Sequence, residues 1–378
     1  MHNYGFCPVQ IQFAALDAIE KEMTELSGQG KVLIIAERTC TDGWQITSNI
    51  KKWLNHGHHI WIDQISQNPT QQDIKNVLEI INGQNLTSII VIGGGSCIDL
   101  AKAVSAFHPV FSGQKSISVK AITDNILSKQ YIRDNRQFNI IAIPTTAGTG
   151  SELTKWATIW DVDKNNKFSI DDDSLYPQKA LIIPELTLTL PRPLILATGL
   201  DALCHATESY WAETSNLLVK DIALQAIRRI TSNLTKALDN PLDNEVRSQL
   251  CRGSLLASLA FSQTRTTACH AISYPLTLKY NIPHGLAAAI TLHAVADINR
   301  QYFAYAEELF DAFAAYGGIK GFIDTVSKGI VNLRLSSFGI QEQDLSEIAE
   351  KSFTTERMGN NPVNISKEQV FRILCEVF

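Results

Sequence analysis

The chain of 378 residues has no CxxC pair, no apolar run approaching the roughly 18 residues of a membrane span, and no excess of basic charge. Each absence excludes a class of protein. Seven cysteines, an odd number without short regular spacing, imply reduced thiols in a cytoplasmic setting rather than a disulfide framework or a zinc ribbon. A formal net charge of -5, with lysines and arginines dispersed, excludes the electrostatic footprint of a nucleic-acid or anionic-membrane binder. The opening Met-His-Asn-Tyr-Gly-Phe-Cys-Pro has neither a basic start nor a continuous apolar core, so neither secretion nor membrane insertion is expected. A GxGxxG dinucleotide fingerprint is also missing.

What is present is enough apolar material, 45% of the residues, to fill two cores, and this length usually needs two. In the first half, Lys31–Ala36, His59–Ile62, Ser88–Ile92, Asn139–Ile143 and Lys179–Ile183 are short apolar runs rich in β-branched residues. Amphipathic stretches such as Gln71–Asn82 alternate with them, the rhythm of a doubly wound, mostly parallel sheet of the Rossmann-like kind. After Pro184 the periodicity becomes helical, over Asp201–Trp211, Asn216–Leu238, Asn244–Phe261, Gly285–Ala296 and Ile365–Phe378. The expected organisation is therefore an α/β domain over residues 1–188 and an all-helical domain over 189–378, with the Pro-rich Leu190–Pro193 as a hinge.

Two loops carry nucleotide-binding chemistry. Val91-Ile-Gly93-Gly94-Gly95-Ser96 ends one expected strand and runs into a helix; glycines admit a ligand to the backbone, and the helix start attracts phosphate. Pro144-Thr145-Thr146-Ala147-Gly148-Thr149-Gly150-Ser151 follows a second strand, in the position where open α/β sheets bind ligands. Glu37 directly follows the strand Lys31–Ala36, where an acid accepts from an adenosine ribose and repels a 2′-phosphate, so NAD(H) is preferred over NADP(H).

In the helical half, Asp201 and His205 stand four residues apart and project from one helix face. Their surroundings are small and apolar, and a buried carboxylate needs a cationic partner. His270 and His284, the latter in Ile-Pro-His-Gly, complete a set of one carboxylate and three imidazoles suited to one divalent metal, Fe(II) or Zn(II). The cluster His56-Gly-His58-His59 is read as a solvated loop, and His2, His108 and His293 lack a partner pattern.

In order and spacing these motifs resemble the iron-containing (group III) alcohol dehydrogenase family. The matching segments are Gly93-Gly-Gly-Ser96 with Asp99 and Lys102, Ile143–Glu152, Pro184–Pro191, Ala197–His205, Pro283-His284-Gly285 and Arg357–Pro362. The resemblance implies a dehydroquinate synthase-like architecture with a cleft between its domains, and a metal-dependent, NAD(P)-linked dehydrogenase. It places the metal ligands on Asp201, His205, His270 and His284. It places the pyrophosphate loop on Gly94, Gly95 and Ser96 near Asp99, the second nucleotide loop on Thr145, Thr146 and Thr149, and a cofactor-ribose lysine on Lys167. Where the family often carries a second histidine, four residues after the third ligand, this chain has Tyr274, a candidate proton donor.

The run Thr264-Arg265-Thr266-Thr267-Ala-Cys-His270 is similar to the phosphonoacetaldehyde reductase branch, which implies a substrate anion held by Arg265, Thr266 and Thr267. The partner is then a small aldehyde and its alcohol, with a homodimer as the default assembly. Three readings compete with it: a dehydrogenase of an uncharged alcohol or diol, a sugar-phosphate cyclase using NAD transiently, and a nucleotide-binding scaffold without turnover.

Overall fold

Val32–Ala36 and Ser88–Ile92 are apolar without interruption apart from Ser88, as strands buried on both faces must be. The computed structural model describes residues 6–55, 59–132, 138–161, 166–353 and 355–378, so His2, His56 and His58 lie outside the described residues. Its strands are β1 (Gln10–Phe13), β2 (Lys31–Ala36), β3 (His59–Ile62), β4 (Leu86–Gly93), β5 (Asn139–Pro144), β6 (Trp156–Asp161), β7 (Asn166–Asp171) and β8 (Lys179–Ile182). Six of them form one wholly parallel sheet in the order β1-β8-β5-β4-β2-β3, and β6 and β7 pair as a separate antiparallel ribbon.

Alternation along each central strand feeds two cores. Leu33, Ile35, Ile89, Val91, Ile140 and Ala142 enter one, and Val32, Ile34, Ile90, Ile92, Ile141 and Ile143 the other. The first core also takes apolar residues of α4 (Gln71–Ile81), α5 (Gly95–Phe111) and α6 (Val119–Ser128). The second takes those of α1 (Asp17–Gln29) and α3 (Ile46–Asn55), while α2 (Arg38–Thr41) is a single turn after β2. This is the expected doubly wound sheet. It comprises residues up to Thr146 together with Ser151–Thr189.

The second unit comprises Ala147–Gly150 and Leu190–Phe378. Its central helix, α7 (Arg192–Trp211), is buried at every residue from Gly199 to Trp211, the signature of a helix surrounded by others. Packed with it are α8 (Leu217–Asp239), α9 (Asn244–Thr264), α10 (Ala268–Tyr280) and α11 (His284–Ile290). Shorter helices follow, ending with Lys367–Glu376. The Pro-rich segment opens α7: Pro191 is its N-cap, and Pro193 falls in the first turn, where a missing N–H costs no hydrogen bond. The helix expected over Gly285–Ala296 is interrupted at Thr291. No helix among the described residues is long and apolar enough to cross a membrane, and all seven cysteines are free thiols.

Candidate active site

Strand addition changes direction between β2 and β4. β3 lies outside β2, whereas β5 and β8 lie outside β4, so the carboxyl ends of β2 and β4 border a topological switch point. Glu37 follows β2 there as the N-cap of α2, and Gly93-Gly94-Gly95 follows β4, with Ile92 in register with Ala36. A Cβ on Gly93 would lie 2.3 Å from the Cys97 sulfur, so only glycine lets α5 turn straight off the strand. Gly94 caps α5, and its Cα faces Thr146, whose side chain a Cβ there would meet at 3.5 Å. Thr145 N–H donates to Gly93 O at 3.1 Å, which ties the second loop to the first. The Thr146 hydroxyl is buried without a partner, as a group poised for a phosphate or ribose oxygen would be.

Other residues expected at this site have structural duties. Asp99 accepts from Thr158 N–H at 2.9 Å and from the Ser151 hydroxyl, so its carboxylate holds the 151–158 segment instead of facing a ligand. Lys102, unassigned from the sequence, is completely buried, and its ammonium donates to Ser151 O (2.5 Å), Ser151 Oγ (3.2 Å), Thr154 Oγ1 (3.0 Å) and Trp156 O (2.9 Å). Burial pushes that ammonium down to about 8, against the pull of Asp99 and Glu152. Ser96 Oγ donates to Gln67 O at 3.2 Å. Lys167 lies on β7 opposite Trp160, and its charge helps to stabilise ionised Asp99. Thr149 belongs to the short segment that groups with the helical unit.

In the helical unit, the ligand atoms of Asp201, His270 and His284 all lie within 4.8 Å of one another. Asp201 sits mid-way along α7, His270 in the first turn of α10, and His284 is the first residue of α11 after Pro283. His205, one turn on from Asp201, brings Nε2 to 3.9 Å from Asp201 Oδ1, and its ring stacks between Phe261 (4.2 Å) and His270 (4.7 Å). It therefore borders the three-residue cluster without belonging to it.

The three imidazoles share one arrangement. Nδ1 of His205 faces Gly148 O at 3.3 Å, Nδ1 of His270 contacts Glu208 Oε2, and Nδ1 of His284 lies 3.4 Å from the Ser273 hydroxyl, which itself donates to His270 O. A carbonyl, a carboxylate and a committed hydroxyl all accept, so each ring holds its proton on Nδ1 and offers Nε2. Asp201 Oδ1 and His270 Nε2, 3.5 Å apart, are buried and have no hydrogen-bond partner. Orphaned polar atoms of this kind are costly unless something satisfies them, and the donor set of one carboxylate oxygen and imidazole nitrogens fits a divalent cation. Burial would raise the Asp201 carboxyl, but the neighbouring imidazoles hold it down to about 2, while burial lowers His205 to about 4.

Close backbone approach builds this cluster. A Cβ on Gly285 would lie 2.1 Å from Ala197 O and 2.7 Å from Asp201 Cβ, and one on Gly148 would lie 2.6 Å from Thr198 O. Gly285→Ala is thus expected to push α11 off α7, costing about 1–3 kcal/mol of stability and weakening metal binding. Urea denaturation and a chelator competition on the same variant check both effects.

Sequence reasoning missed Glu208, which is completely buried on α7, three residues after His205 and seven after Asp201. The signal was available, because a second acid on the same face of an apolar helix needs a buried partner.

The substrate-side expectations divide. Thr267 is completely buried; its hydroxyl donates to Glu208 at 2.8 Å and accepts from Trp211 Nε1 at 2.9 Å, so it serves the scaffold and is closed to substrate, contrary to expectation. Thr266 Oγ1 accepts from Arg357 Nε at 3.1 Å, and that guanidinium lies 4.9 Å from the centre of the Tyr274 ring. Tyr274 stacks on His284 with ring centres 5.8 Å apart and planes 9° from parallel. Arg265, exposed at the end of α9, has φ 63° and ψ -174°, a conformation favouring glycine that costs about 1–3 kcal/mol for other residues.

Comparison with known proteins covers both units. Residues 8–184 match the family model "Iron-containing alcohol dehydrogenase", and residues 195–378 match "Fe-containing alcohol dehydrogenase family, C-terminal". Long-chain-alcohol dehydrogenase 1 of Geobacillus thermodenitrificans is 29% identical, over 92% of this chain and 89% of its own. The 1,3-propanediol dehydrogenase of Citrobacter freundii is 27% identical, over 94% of each. The crystal structure of sulfoacetaldehyde reductase from Bifidobacterium kashiwanohense in complex with NAD+ superposes with a TM-score of 0.85 and 26% identity, covering 100% of this chain and 98% of that one.

Proposed function

The chain belongs to the iron-containing alcohol dehydrogenase family, and from that premise we propose that it reduces a small aldehyde to its primary alcohol, reversibly, with NADH and one divalent metal. The observation that carries this reading is the pair of orphaned atoms, Asp201 Oδ1 and His270 Nε2, converging with His284 on one point. When bound, the metal supplies Lewis-acid polarisation of the carbonyl and the reduced nicotinamide supplies hydride. Asp201, His270 and His284 are the residues that would hold the metal, and His205, which borders them, is the proposed fourth ligand, with Asp201 ionised and the imidazoles turned to present Nε2. The reaction takes up one hydride and one proton per carbonyl. Tyr274, stacked on His284, is our candidate for delivering that proton from its hydroxyl. Gly94, Gly95 and Thr146 are the proposed contacts to dinucleotide phosphate and ribose, and Glu37 favours NAD(H) by repelling a 2′-phosphate.

For substrate we propose a two-carbon aldehyde carrying an anionic head, in the first instance phosphonoacetaldehyde, reduced to 2-hydroxyethylphosphonate. Support comes from Arg265, exposed on a strained turn at the end of α9 shortly before His270, and from the sulfonated aldehyde in the name of the Bifidobacterium relative. Fe(II) and Zn(II) both suit the ligand set. Arg265→Ala is expected to raise KM for phosphonoacetaldehyde about 10- to 100-fold, the scale of a lost charged hydrogen bond, and to leave KM for propanal unchanged. Equal effects on the two substrates would reject the anion anchor and favour an uncharged alcohol or diol.

A further inference from the structure

We infer that Glu208 is a positioning residue that fixes which nitrogen of His270 carries the proton, and so makes that imidazole competent to hold a metal. The inference rests on the reading of Asp201, His270 and His284 as a metal site. Glu208 is completely buried, yet no Lys or Arg pairs with it among the described residues. Its two oxygens divide the work. Oε1 accepts from the backbone N–H groups of Thr267 (2.9 Å), Cys269 (3.0 Å) and His270 (3.3 Å) and from the Thr267 hydroxyl (2.8 Å), closing off the start of α10. Oε2 contacts His270 Nδ1.

A carboxylate in this setting only accepts, so Nδ1 keeps its proton whether the ring is neutral or charged, and Nε2 is the nitrogen left to bind. That nitrogen is the buried atom without a partner that points toward Asp201. A carboxylate needed only to cap α10 would have no reason to place its second oxygen on the imidazole. Because one side chain on α7 holds both the backbone of the first turn of α10 and the ring, the orientation of His270 is coupled to the seating of its helix.

Glu208→Gln separates the two duties. The four donors to Oε1 force the amide oxygen into that place, so the amide NH₂ must face His270 Nδ1 and donate to it. The neutral ring then carries its proton on Nε2, where the metal should sit. The cap survives and the tautomer is wrong.

Zn(II) affinity is to be measured by competition with a chromophoric chelator, alongside the melting temperature of the metal-free protein. The expected result is wild-type binding of one Zn(II), Kd weakened about 10- to 100-fold in Glu208→Gln, and a metal-free melting temperature much closer to wild type than that of Glu208→Ala. Wild-type Kd in a folded Glu208→Gln would overturn this inference and leave the metal site standing, whereas no Zn(II) binding by the wild type would overturn the site itself. Should the Gln variant not fold, ¹⁵N NMR of histidine-labelled, Zn(II)-loaded wild type decides. His270 with its proton on Nδ1 and metal on Nε2 is required, and the reverse assignment contradicts the proposal.

Discussion

His270→Ala is expected to lose the metal and to lower kcat/KM for aldehyde reduction about a thousandfold, since Lewis-acid stabilisation is worth several kcal/mol of barrier. The effect is larger than the loss of one ligand. His270 is the centre of the cluster: its ring stacks on His205, meets His284 edge-on at 5.2 Å and is anchored by Glu208. Removing it also strands Glu208 Oε2 in the interior, so the metal-free variant should melt below wild type. His284→Ala leaves the Glu208 contacts in place and should lose metal and activity with a smaller change in the metal-free melting temperature. Metal content by elemental analysis, with kcat/KM from NADH absorbance, checks both. An active His270→Ala protein without metal would remove the basis of the assignment.

Lys102→Ala is expected to cost the α/β unit about 3–5 kcal/mol, because it strands several buried acceptors and removes the cation that offsets two buried carboxyls. Four hydrogen bonds from its ammonium hold Ser151, Thr154 and Trp156, and the same charge keeps Asp99 and Glu152 tolerable in the interior. Without it burial dominates: the Glu152 carboxyl, already raised to about 7, moves further up, and Asp99 follows in the same direction. Hydrogen exchange of the β4 and β5 amides under mild denaturant reports this unit separately from the helical one. Protection unchanged from wild type would show that the network contributes little.

How far the sequence carries the structure depends on where each signal lies. Continuous apolar runs rich in β-branched residues announced β2, β4 and β5, because a strand buried on both faces has no other composition available to it, and β3 and β8 were legible as shorter apolar runs. β1, Gln10–Phe13, is an edge strand with mostly exposed residues, and β6 and β7 form a two-stranded ribbon, so none of them needed a continuous apolar run. Of the candidate metal cluster, the Asp201 to His205 spacing and the Pro-His-Gly turn were visible in the sequence, and the full set came from the family resemblance. The chain shows His270 only as an isolated letter, and packing at Gly285 brings α11 against α7. Local sequence also fails to separate ligand from support. Asp99 and Thr267 carry the right atoms for binding but spend them on the scaffold, while Lys102 in the α/β unit and Glu208 in the helical unit, each holding its own unit's framework, have hydrogen-bond partners 49 to 62 residues away along the chain. Local pattern can signal that such a residue needs a buried partner, as at Glu208, but long-range pairing leaves that partner unnamed.

The most direct test of a metal-dependent, NADH-linked aldehyde reductase is NADH oxidation by chelator-stripped protein before and after reconstitution with Fe(II) or Zn(II), across phosphonoacetaldehyde and uncharged aldehydes. The account predicts no aldehyde-dependent oxidation in the stripped protein, recovery with one metal per chain, and the highest kcat/KM for the anionic aldehyde. Full activity in the stripped protein, or one metal bound with no aldehyde reduced, would contradict it.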